Sequence, residues 1–362
     1  MEKKIEPSVR ILSALAIIFV VAGHADFGVF DVAGMFPYYS FHVGVFVFIS
    51  GYFYREENEL QMIAYIKRKA MHLLLPYYLW NLFYGVLTTV LRGAGFSIGS
   101  PISLYNFFLE PFLGGHQYGL NFAAWFVPVL FLLELINVLG RKILGWLGLK
   151  KEGIIFVLSL VAGMITVVLS QRGSVWGYYR HIGCLLFLFP VLQAGSFYKN
   201  VLKEKIENIS YGYYFLIICS IQFIVLLATG GRVAYSSVWC SGFLYGPLVP
   251  YITTFLGIGF WLGISRILAE NFKKGTWLYL IGEHSFDIMM HHVLGFFILN
   301  TIFYGTACLG LVENFLAESY FTTYEYRYLL KGMEMGKWLY LIFGIIFSLF
   351  FGRISRKIKG IL

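Results

Sequence analysis

Long apolar runs are the feature that most constrains this chain. Ten stretches are long and apolar enough to cross a hydrocarbon core, which takes about 20 helical residues per crossing. Their approximate limits are 9–27, 36–54, 70–91, 121–139, 153–170, 178–198, 210–229, 245–268, 277–304 and 336–352. Of all residues 59% are apolar and only 13% are charged, whereas soluble domains are about 25% charged. The sequence predicts an all-α, polytopic membrane helix bundle that forms one domain over residues 1–362.

The distribution of Lys and Arg predicts the orientation of these helices, because cytoplasmic loops of membrane proteins are enriched in both. With the N-terminus inside, twenty-one basic residues fall on the inner side and seven on the outer side. Both termini are therefore predicted in the cytoplasm. The formal net charge of +9 follows from this topology, and a nucleic-acid partner is not expected because no soluble basic domain is present. The lipid bilayer is the expected surrounding.

Two segments between predicted helices, 92–120 and 305–335, lie on the outer side and are rich in aromatic residues. They could form a lid or a substrate platform. They could equally be interfacial helices of the aromatic belt. Cys240 and Cys308 also fall on the outer side, where a disulfide is permitted.

Three histidines fall at one predicted depth. His24 lies about 21 Å above the start of the first helix, and His292 lies about 22 Å above the cytoplasmic end of the ninth. The second helix enters the membrane from the outer side, and His42 in this helix lies about 9 Å below the outer surface. Ionisable residues inside membrane helices are costly and mark functional sites. Imidazole titrates near neutral pH, so the three are candidates for moving protons.

The ninth stretch contains the segment "IGEHSFDIMMHHVLG". In a continuous helix, His284, Asp287 and His291 share one face, and Ser285 and His292 share an adjacent one. We expect Asp287 to hydrogen-bond His291 one turn later. Ligands from a single helix rarely complete a metal site, and no HExxH motif is present. We therefore predict no metal and no bound cofactor.

A basic cluster precedes the third stretch, in "YIKRKAMHLLLPYY". Lys67, Arg68 and Lys69 can act as a positive anchor on the cytoplasmic side. They can also bind an anionic ligand, because Arg and Lys suit phosphate groups. The sequence leaves both interpretations open.

Several motifs occur together in one order: "ALAIIFVVAGH", "FHVGVFVFISGYFY", "YIKRKAMHLLLPYYLW", "AAWFVPVLFLLEL" and "IGEHSFDIMMHH". With these motifs the chain resembles the acyltransferase-3 family of integral membrane acyltransferases. The likeness is greatest to the branch related to fucose acetylases and exopolysaccharide O-acetyltransferases. The motifs cover most of the chain, and ten helices match the family.

The resemblance implies a reaction. The co-substrate is acyl-CoA, commonly acetyl-CoA, in the cytoplasm, and the acceptor is a hydroxyl of an envelope or exopolysaccharide glycan, free or lipid-linked. The setting is the bacterial cytoplasmic membrane. His24 takes the place of the catalytic histidine, and Arg68 and Lys69 take the place of the basic pair that contacts the donor. His292 closes the motif of the ninth helix.

The resemblance also implies substrate contacts. Trp125 corresponds to the tryptophan of the WF motif, and Ser285 and Asp287 belong to the motif of the ninth helix. We predict that these three residues contact the substrate. The family usually has a basic residue eleven positions before the histidine of the first helix, where this chain has Ser13. Arg10 lies one helical turn earlier on the same face, so we expect Arg10 and Ser13 to face the donor.

Acyl transfer to a hydroxyl requires a base for the hydroxyl proton. His24 is the candidate base or transient acyl acceptor, with His42 or His292 as its partner. An alternative is a proton-coupled transporter or flippase of a glycan or small solute, which also uses buried ionisable residues. A non-catalytic receptor or scaffold is a further alternative, and it predicts that replacement of His24 has no effect.

Overall fold

The computed structural model describes residues 6–26, 32–175, 177–329 and 335–359. In these ranges the chain is helical, with two isolated β-bridges and no strand. The α-helices are α1 Pro7–His24, α2 His42–Tyr52, α3 Glu57–Leu60, α4 Met62–Lys69, α5 Leu75–Gly93, α6 Glu110–Leu113, α7 Phe126–Trp146, α8 Glu152–Gln171, α9 Tyr178–Phe197, α10 Lys203–Glu207, α11 Tyr211–Thr229, α12 Val249–Leu268, α13 Trp277–Glu283, α14 Ser285–Cys308, α15 Ala317–Thr322 and α16 Met335–Lys359. Short 3₁₀ or π segments occupy Val32–Gly34, Tyr38–Ser40, Ala70–Leu74, Tyr105–Leu109, Gly119–Trp125 and Tyr198–Leu202.

Nine helical stretches within these ranges are long and apolar enough to cross a membrane. They are Pro7–His24, Met62–Gly93, Gly119–Trp146, Glu152–Gln171, Tyr179–Glu207, Tyr211–Thr229, Val249–Leu268, Ser285–Cys308 and Gly336–Ile354. The polytopic helical fold predicted from the apolar runs is confirmed.

The apolar stretch 36–54 differs from the prediction, because its only α-helix, α2, has 11 residues. At 1.5 Å per residue this helix is about 17 Å long, too short to cross a core of about 30 Å. An odd number of crossings would put the two termini on opposite sides of the membrane. The predicted cytoplasmic position of both termini therefore requires the chain around α2 to cross as well.

The chain divides into two compact units. Unit 1 comprises Met1–Ala16, Val29–His72 and Val129–Gly282. Within it α2 packs closely on α9, because each helix places a glycine against the backbone of the other. A Cβ at Gly51 would collide with the carbonyl of Leu192, and a Cβ at Gly195 with the carbonyl of Phe48. Small residues allow this backbone approach in membrane helices.

Unit 2 comprises Ile17–Gly28, Leu73–Pro128 and Glu283–Leu362. In this unit α14 packs along α16, where Gly344 leaves room for the ring of Phe296. On another side of α14 the buried residues Val293 and Leu294 join a core cluster with Tyr84 of α5 and Leu120 of the 3₁₀ segment. Unit 2 is thus assembled around α14.

The ninth predicted helix is interrupted, which the sequence did not predict. His284 has non-helical angles, φ −109° and ψ 23°, and it separates α13 from α14. The prediction that His284, Asp287 and His291 share one helix face required a continuous helix. It is wrong for His284, because this residue lies outside α14.

The two outer segments contact each other within unit 2. The backbone N–H of Ser97 donates to the carbonyl of Phe321 at 2.7 Å, and the rings of Phe96 and Phe321 lie 4.6 Å apart. The two segments are therefore in contact, and their roles as a lid, a substrate platform or interfacial helices remain predictions. The four cysteines are free thiols, with Cys240 buried and Cys308 exposed.

Candidate active site

His24, the last residue of α1, contacts His292 of α14 within unit 2. Nδ1 of His24 lies 2.6 Å from Nε2 of His292, with the ring planes 4° apart and the centroids separated by 4.9 Å. His292 is fully buried, whereas His24 is half-buried. The structure thus brings together two of the three predicted histidines.

The hydrogen bonds of this pair determine which nitrogens carry protons. Nδ1 of His292 lies 2.7 Å from the carbonyl oxygen of Ile288. A carbonyl can only accept, so this nitrogen donates, and Nε2 of the neutral ring is an acceptor. Nδ1 of His24 must then donate to His292. The lone pair of neutral His24 is therefore on Nε2, which can accept a proton.

A buried arginine of the segment 305–335, Arg327, lies beside the histidine pair. Nε of Arg327 donates to the carbonyl of His24 at 3.1 Å, and Nη1 donates to the carbonyls of Tyr324 and Tyr326, each at 2.7 Å. The guanidinium carbon lies 4.5 Å from the ring centroid of Phe296. A cation at the last carbonyls of a helix interacts favourably with the helix dipole. Arg327 therefore fixes the end of α1 that carries His24.

The charge of Arg327 is not neutralised by a carboxylate in the ranges that the structure describes, where it forms no ion pair. Burial lowers the pKa of Arg327 to about 10. The side chain is still protonated at neutral pH. The histidine pair therefore has a positive charge next to it.

The 3₁₀ segment Gly119–Trp125 supplies an aromatic side to the site. The ring of Phe122 lies 4.7 Å from that of His24 and 4.9 Å from that of Tyr324. Trp125 is buried, and its ring lies 6.0 Å from that of His116 at an interplanar angle of 18°. The predicted substrate contact of Trp125 remains a prediction, and Phe122 is the ring of this segment that packs on His24.

The first turn of α14 carries Ser285 and Asp287. Asp287 Oδ2 lies 3.3 Å from Nδ1 of His284. The predicted hydrogen bond between Asp287 and His291 is wrong: Nδ1 of His291 donates to the hydroxyl of Tyr84 at 2.9 Å, and its Nε2 has no hydrogen-bond partner. Ser285 lies seven residues before His292, about 10 Å along the helix axis. The predicted contacts of Ser285 and Asp287 with the substrate remain predictions.

His42 belongs to unit 1, unlike His24 and His292. It is buried, and its Nδ1 lies 2.7 Å from the carbonyl of Tyr38. The rings of Tyr38 and Tyr39 lie 5.8 Å and 5.4 Å away, both edge-on. These contacts are those of a neutral packing histidine, and the catalytic role of His42 remains a prediction.

The predicted donor residues of α1 also lie in unit 1. Nη1 of Arg10 donates to the carbonyl of Gly282 at 3.4 Å, while the buried Nε of Arg10 has no partner among the described residues. The guanidinium lies 5.9 Å from the ring centroid of Tyr279. The hydroxyl of Ser13 donates to the carbonyl of Val9 within the same helix. Arg10 thus has a nitrogen that can donate a further hydrogen bond, whereas the hydroxyl proton of Ser13 is already used within α1.

Arg68 and Lys69 have different surroundings although they are adjacent. Lys69 pairs with Glu134, a carboxylate only 1% exposed that also accepts hydrogen bonds from Ser50 and Tyr65. Arg68 is exposed and donates to Asn58 at 3.0 Å. The structure therefore gives Lys69 an internal partner that sequence analysis did not predict, and it leaves Arg68 as the more accessible of the two.

Two residues of the site were missed by sequence analysis. Arg327 looked like one of seven outer basic residues, and only its place in an aromatic segment could have indicated burial. Phe122 lies three residues before the tryptophan of the WF motif, among many aromatic side chains. No group of three potential metal ligands occurs in the described part of the chain.

The comparisons with known proteins agree with the motifs. The family described as an acyltransferase domain matches residues 7–354, which is nearly the whole chain. No curated protein and no solved structure matches it.

Proposed function

Because the chain belongs to the acyltransferase domain family, it is a membrane acyltransferase, and we propose that it moves an acetyl group from cytoplasmic acyl-CoA to a glycan. The acceptor is a hydroxyl of an envelope or exopolysaccharide glycan on the outer side of a bacterial cytoplasmic membrane. The observation that carries this proposal is the contact between His24 and His292. It provides a neutral imidazole with a basic nitrogen at the end of a membrane helix.

In the proposed reaction, the acceptor hydroxyl gives its proton to Nε2 of His24 while its oxygen attacks the thioester carbonyl carbon. The carbon–sulfur bond then breaks, and the thiolate of CoA leaves. The thiolate takes the proton held by His24, so the histidine returns to its starting state. The products are an ester and free CoA, and a positioned base of this kind accelerates a reaction by about 10²- to 10⁴-fold.

His292 and Arg327 support this role of His24 in different ways. Nε2 of His292 accepts the hydrogen bond that Nδ1–H of His24 donates, which selects the His24 tautomer that has its lone pair on Nε2. Arg327 holds the carbonyl of His24 and so fixes the position of the base. The positive charge of Arg327 would favour an oxyanion formed beside its guanidinium group.

On the donor side we propose that Arg68 binds a phosphate of CoA, since it is exposed and its hydrogen-bond partner Asn58 is neutral. The unpartnered Nε of Arg10 is available to the donor as well. Lys69 contributes less, because Glu134 already neutralises its charge.

The proposal is tested with the purified full chain in nanodiscs and acetyl-CoA. We expect slow release of free CoA in the absence of acceptor and faster release when an acetylatable glycan is added. The His24→Ala variant serves as the control and should release none above background. A wild-type protein that binds acetyl-CoA but never releases CoA, with or without glycan, would contradict the proposal and favour the transporter alternative.

A further inference from the structure

A stripe of buried polar side chains runs along one face of α5. Tyr77, Asn81, Tyr84 and Thr88 follow one another at spacings of four, three and four residues, which places them on one side of the helix. Each is at most 1% exposed. A membrane helix that only packs against apolar neighbours does not need such a stripe. The residues that contact the polar side chains therefore indicate what the stripe does.

The end of the segment 92–120 and the 3₁₀ segment Gly119–Trp125 add further polar groups to this stripe. Asn121 Nδ2 donates to Asn81 Oδ1 at 3.0 Å, and Gln117 Nε2 donates to the hydroxyl of Tyr77 at 3.4 Å. The hydroxyl of Tyr118 lies where a Cβ of Gly85 would be 2.9 Å away. All these residues belong to unit 2, and together with Thr88 and His291 they are called the amide cluster below.

Many polar atoms of the amide cluster lack hydrogen bonds although they are buried. Within the described ranges, six have no partner: Asn81 Nδ2, Thr88 Oγ1, Gln117 Oε1, Tyr118 Oη, Asn121 Oδ1 and His291 Nε2. A buried polar atom without a partner is costly and rare in native proteins. So many in one place indicate that a ligand supplies the missing hydrogen bonds.

The amide cluster lies deep in unit 2 and next to the histidine pair. Tyr77 and Asn81 precede the outer end of α5, Gly93, by about 24 and 18 Å, yet Gln117 and Asn121 reach them. Irregular backbone at membrane depth is tolerated where protein buries it or where it lines a cavity. Phe122 follows Asn121 and packs on His24 at 4.7 Å, and His291 directly precedes His292. A ligand in the cluster would therefore be close to the base.

The chemistry of the cluster selects the kind of ligand. It contains amides, hydroxyls and a neutral imidazole nitrogen but no carboxylate, lysine or arginine, so it suits neither an anion nor a metal ion. The unpartnered atoms include a donor, acceptors and two hydroxyls that can do both. A ligand with several hydroxyl groups matches this set, because each hydroxyl donates one hydrogen bond and accepts others.

We propose that the amide cluster binds a neutral sugar unit of the acceptor and presents one of its hydroxyls to His24. This inference rests on the proposed function and assigns the residues that recognise its acceptor. The most direct variants are Tyr118→Phe and Thr88→Val, which remove one oxygen each. Neither oxygen has a partner in the described structure, so neither change removes a hydrogen bond of the free protein.

The experiment measures acetyl transfer from acetyl-CoA to the methyl glycosides of glucose, galactose, mannose and fucose, using the purified full chain. For the best wild-type glycoside we expect each variant to raise the acceptor KM by roughly three- to tenfold, the effect of one neutral hydrogen bond. The melting temperature should stay the same or rise, since an unsatisfied buried group is removed. A purely structural role predicts no change in acceptor KM.

Thr253→Val is the matched control, because the Thr253 hydroxyl is also buried and unpartnered but belongs to unit 1. It should leave the acceptor KM unchanged. An unchanged KM in both test variants, or a rise confined to the KM of acetyl-CoA, would overturn the sugar assignment. So would a wild-type protein that acetylates none of the four glycosides and is not thermally stabilised by any of them. In that last case, release of CoA without acceptor would still support the proposed function.

Discussion

Nδ1 of His24 lies 2.6 Å from Nε2 of His292, and this contact makes the two rings unequal. His24 is the ring with the basic nitrogen, whereas His292 accepts the hydrogen bond from Nδ1–H of His24 and is fully buried. Replacement of the two histidines should therefore have different consequences.

His24→Gln should reduce acetyl transfer by at least about 10²- to 10⁴-fold, because an amide cannot accept the hydroxyl proton. His292→Gln should cost less, about 10²-fold, since His24 remains but loses the partner that orients it. His72 is exposed, so His72→Gln is the matched control and should be as active as the wild type. Steady-state rates with acetyl-CoA and a glycoside would show the order, and a loss in His292→Gln as large as that in His24→Gln would refute it.

The same His24 variant separates a base from a covalent acyl acceptor. If His24 carries the acetyl group, radiolabelled acetyl-CoA without acceptor should label the wild-type protein, and hydroxylamine should release the label. A base predicts no label. We expect no label, because His24 Nε2 needs only to accept a proton in the proposed reaction. Label that is stable in His24→Gln would place the covalent step on another residue.

Arg327 is expected to position His24, because its guanidinium group donates to the carbonyl of His24. Arg327→Gln should lower kcat by about 10²-fold, the effect of a misplaced reacting group. Arg327→Lys retains the charge but cannot reach three carbonyls at once, so its kcat should also be reduced. A wild-type kcat in Arg327→Gln would contradict the positioning role.

The pair formed by Lys69 and Glu134 should contribute to stability more than to donor binding. Lys69→Gln leaves the carboxylate of Glu134 buried without a cation and should cost at most about 3 kcal/mol, less where water reaches the lysine. Lys69→Met combined with Glu134→Gln should recover much of this loss. Arg68→Gln should leave the melting temperature unchanged and raise the KM for acetyl-CoA. A destabilised Arg68→Gln with normal donor KM would reverse the two assignments.

The short helix α2 makes the orientation of the chain testable. Single cysteines replacing Lys150 and Glu318, both exposed, are introduced into a cysteine-free background and treated in intact cells with a membrane-impermeant maleimide. Only the cysteine at Glu318 should react if both termini are cytoplasmic. Reaction at Lys150 would mean that the chain around α2 does not cross the membrane.

Sequence analysis predicted most of the helices because each apolar run is a local property of the chain. It also placed His24, His42 and His292 at one depth, from the helix rise and the basic loops, but it left His42 and His292 as equal candidates for the partner of His24. It missed the break at His284, because the one nearby glycine, Gly282, lies inside α13 and an isolated glycine in an apolar run does not by itself predict an interruption. It also missed the contact of Arg327 with His24, because no local pattern relates residues 303 positions apart.

The pairing of Asp287 with His291 failed for a related reason. Spacing along a helix places two side chains on one face but does not show what faces them. His291 turns to Tyr84 on α5, a partner that only tertiary packing supplies. The amide cluster could have been suspected from the polar residues at positions 77, 81, 84 and 88, whose spacing is helical.

Because Arg327 ties residues 309–329 to the last carbonyl of α1, this stretch cannot be treated as an interchangeable recognition loop. An exchange of residues 309–329 for those of another family member would also replace the hydrogen bond from Arg327 that holds the carbonyl of His24. Chimeras made to change acceptor preference would then lose rate before they gain a new specificity. Evolution of acceptor choice in this enzyme is expected to proceed through single substitutions beneath the segment, in α5 and the 3₁₀ turn, and not through replacement of the segment as a whole.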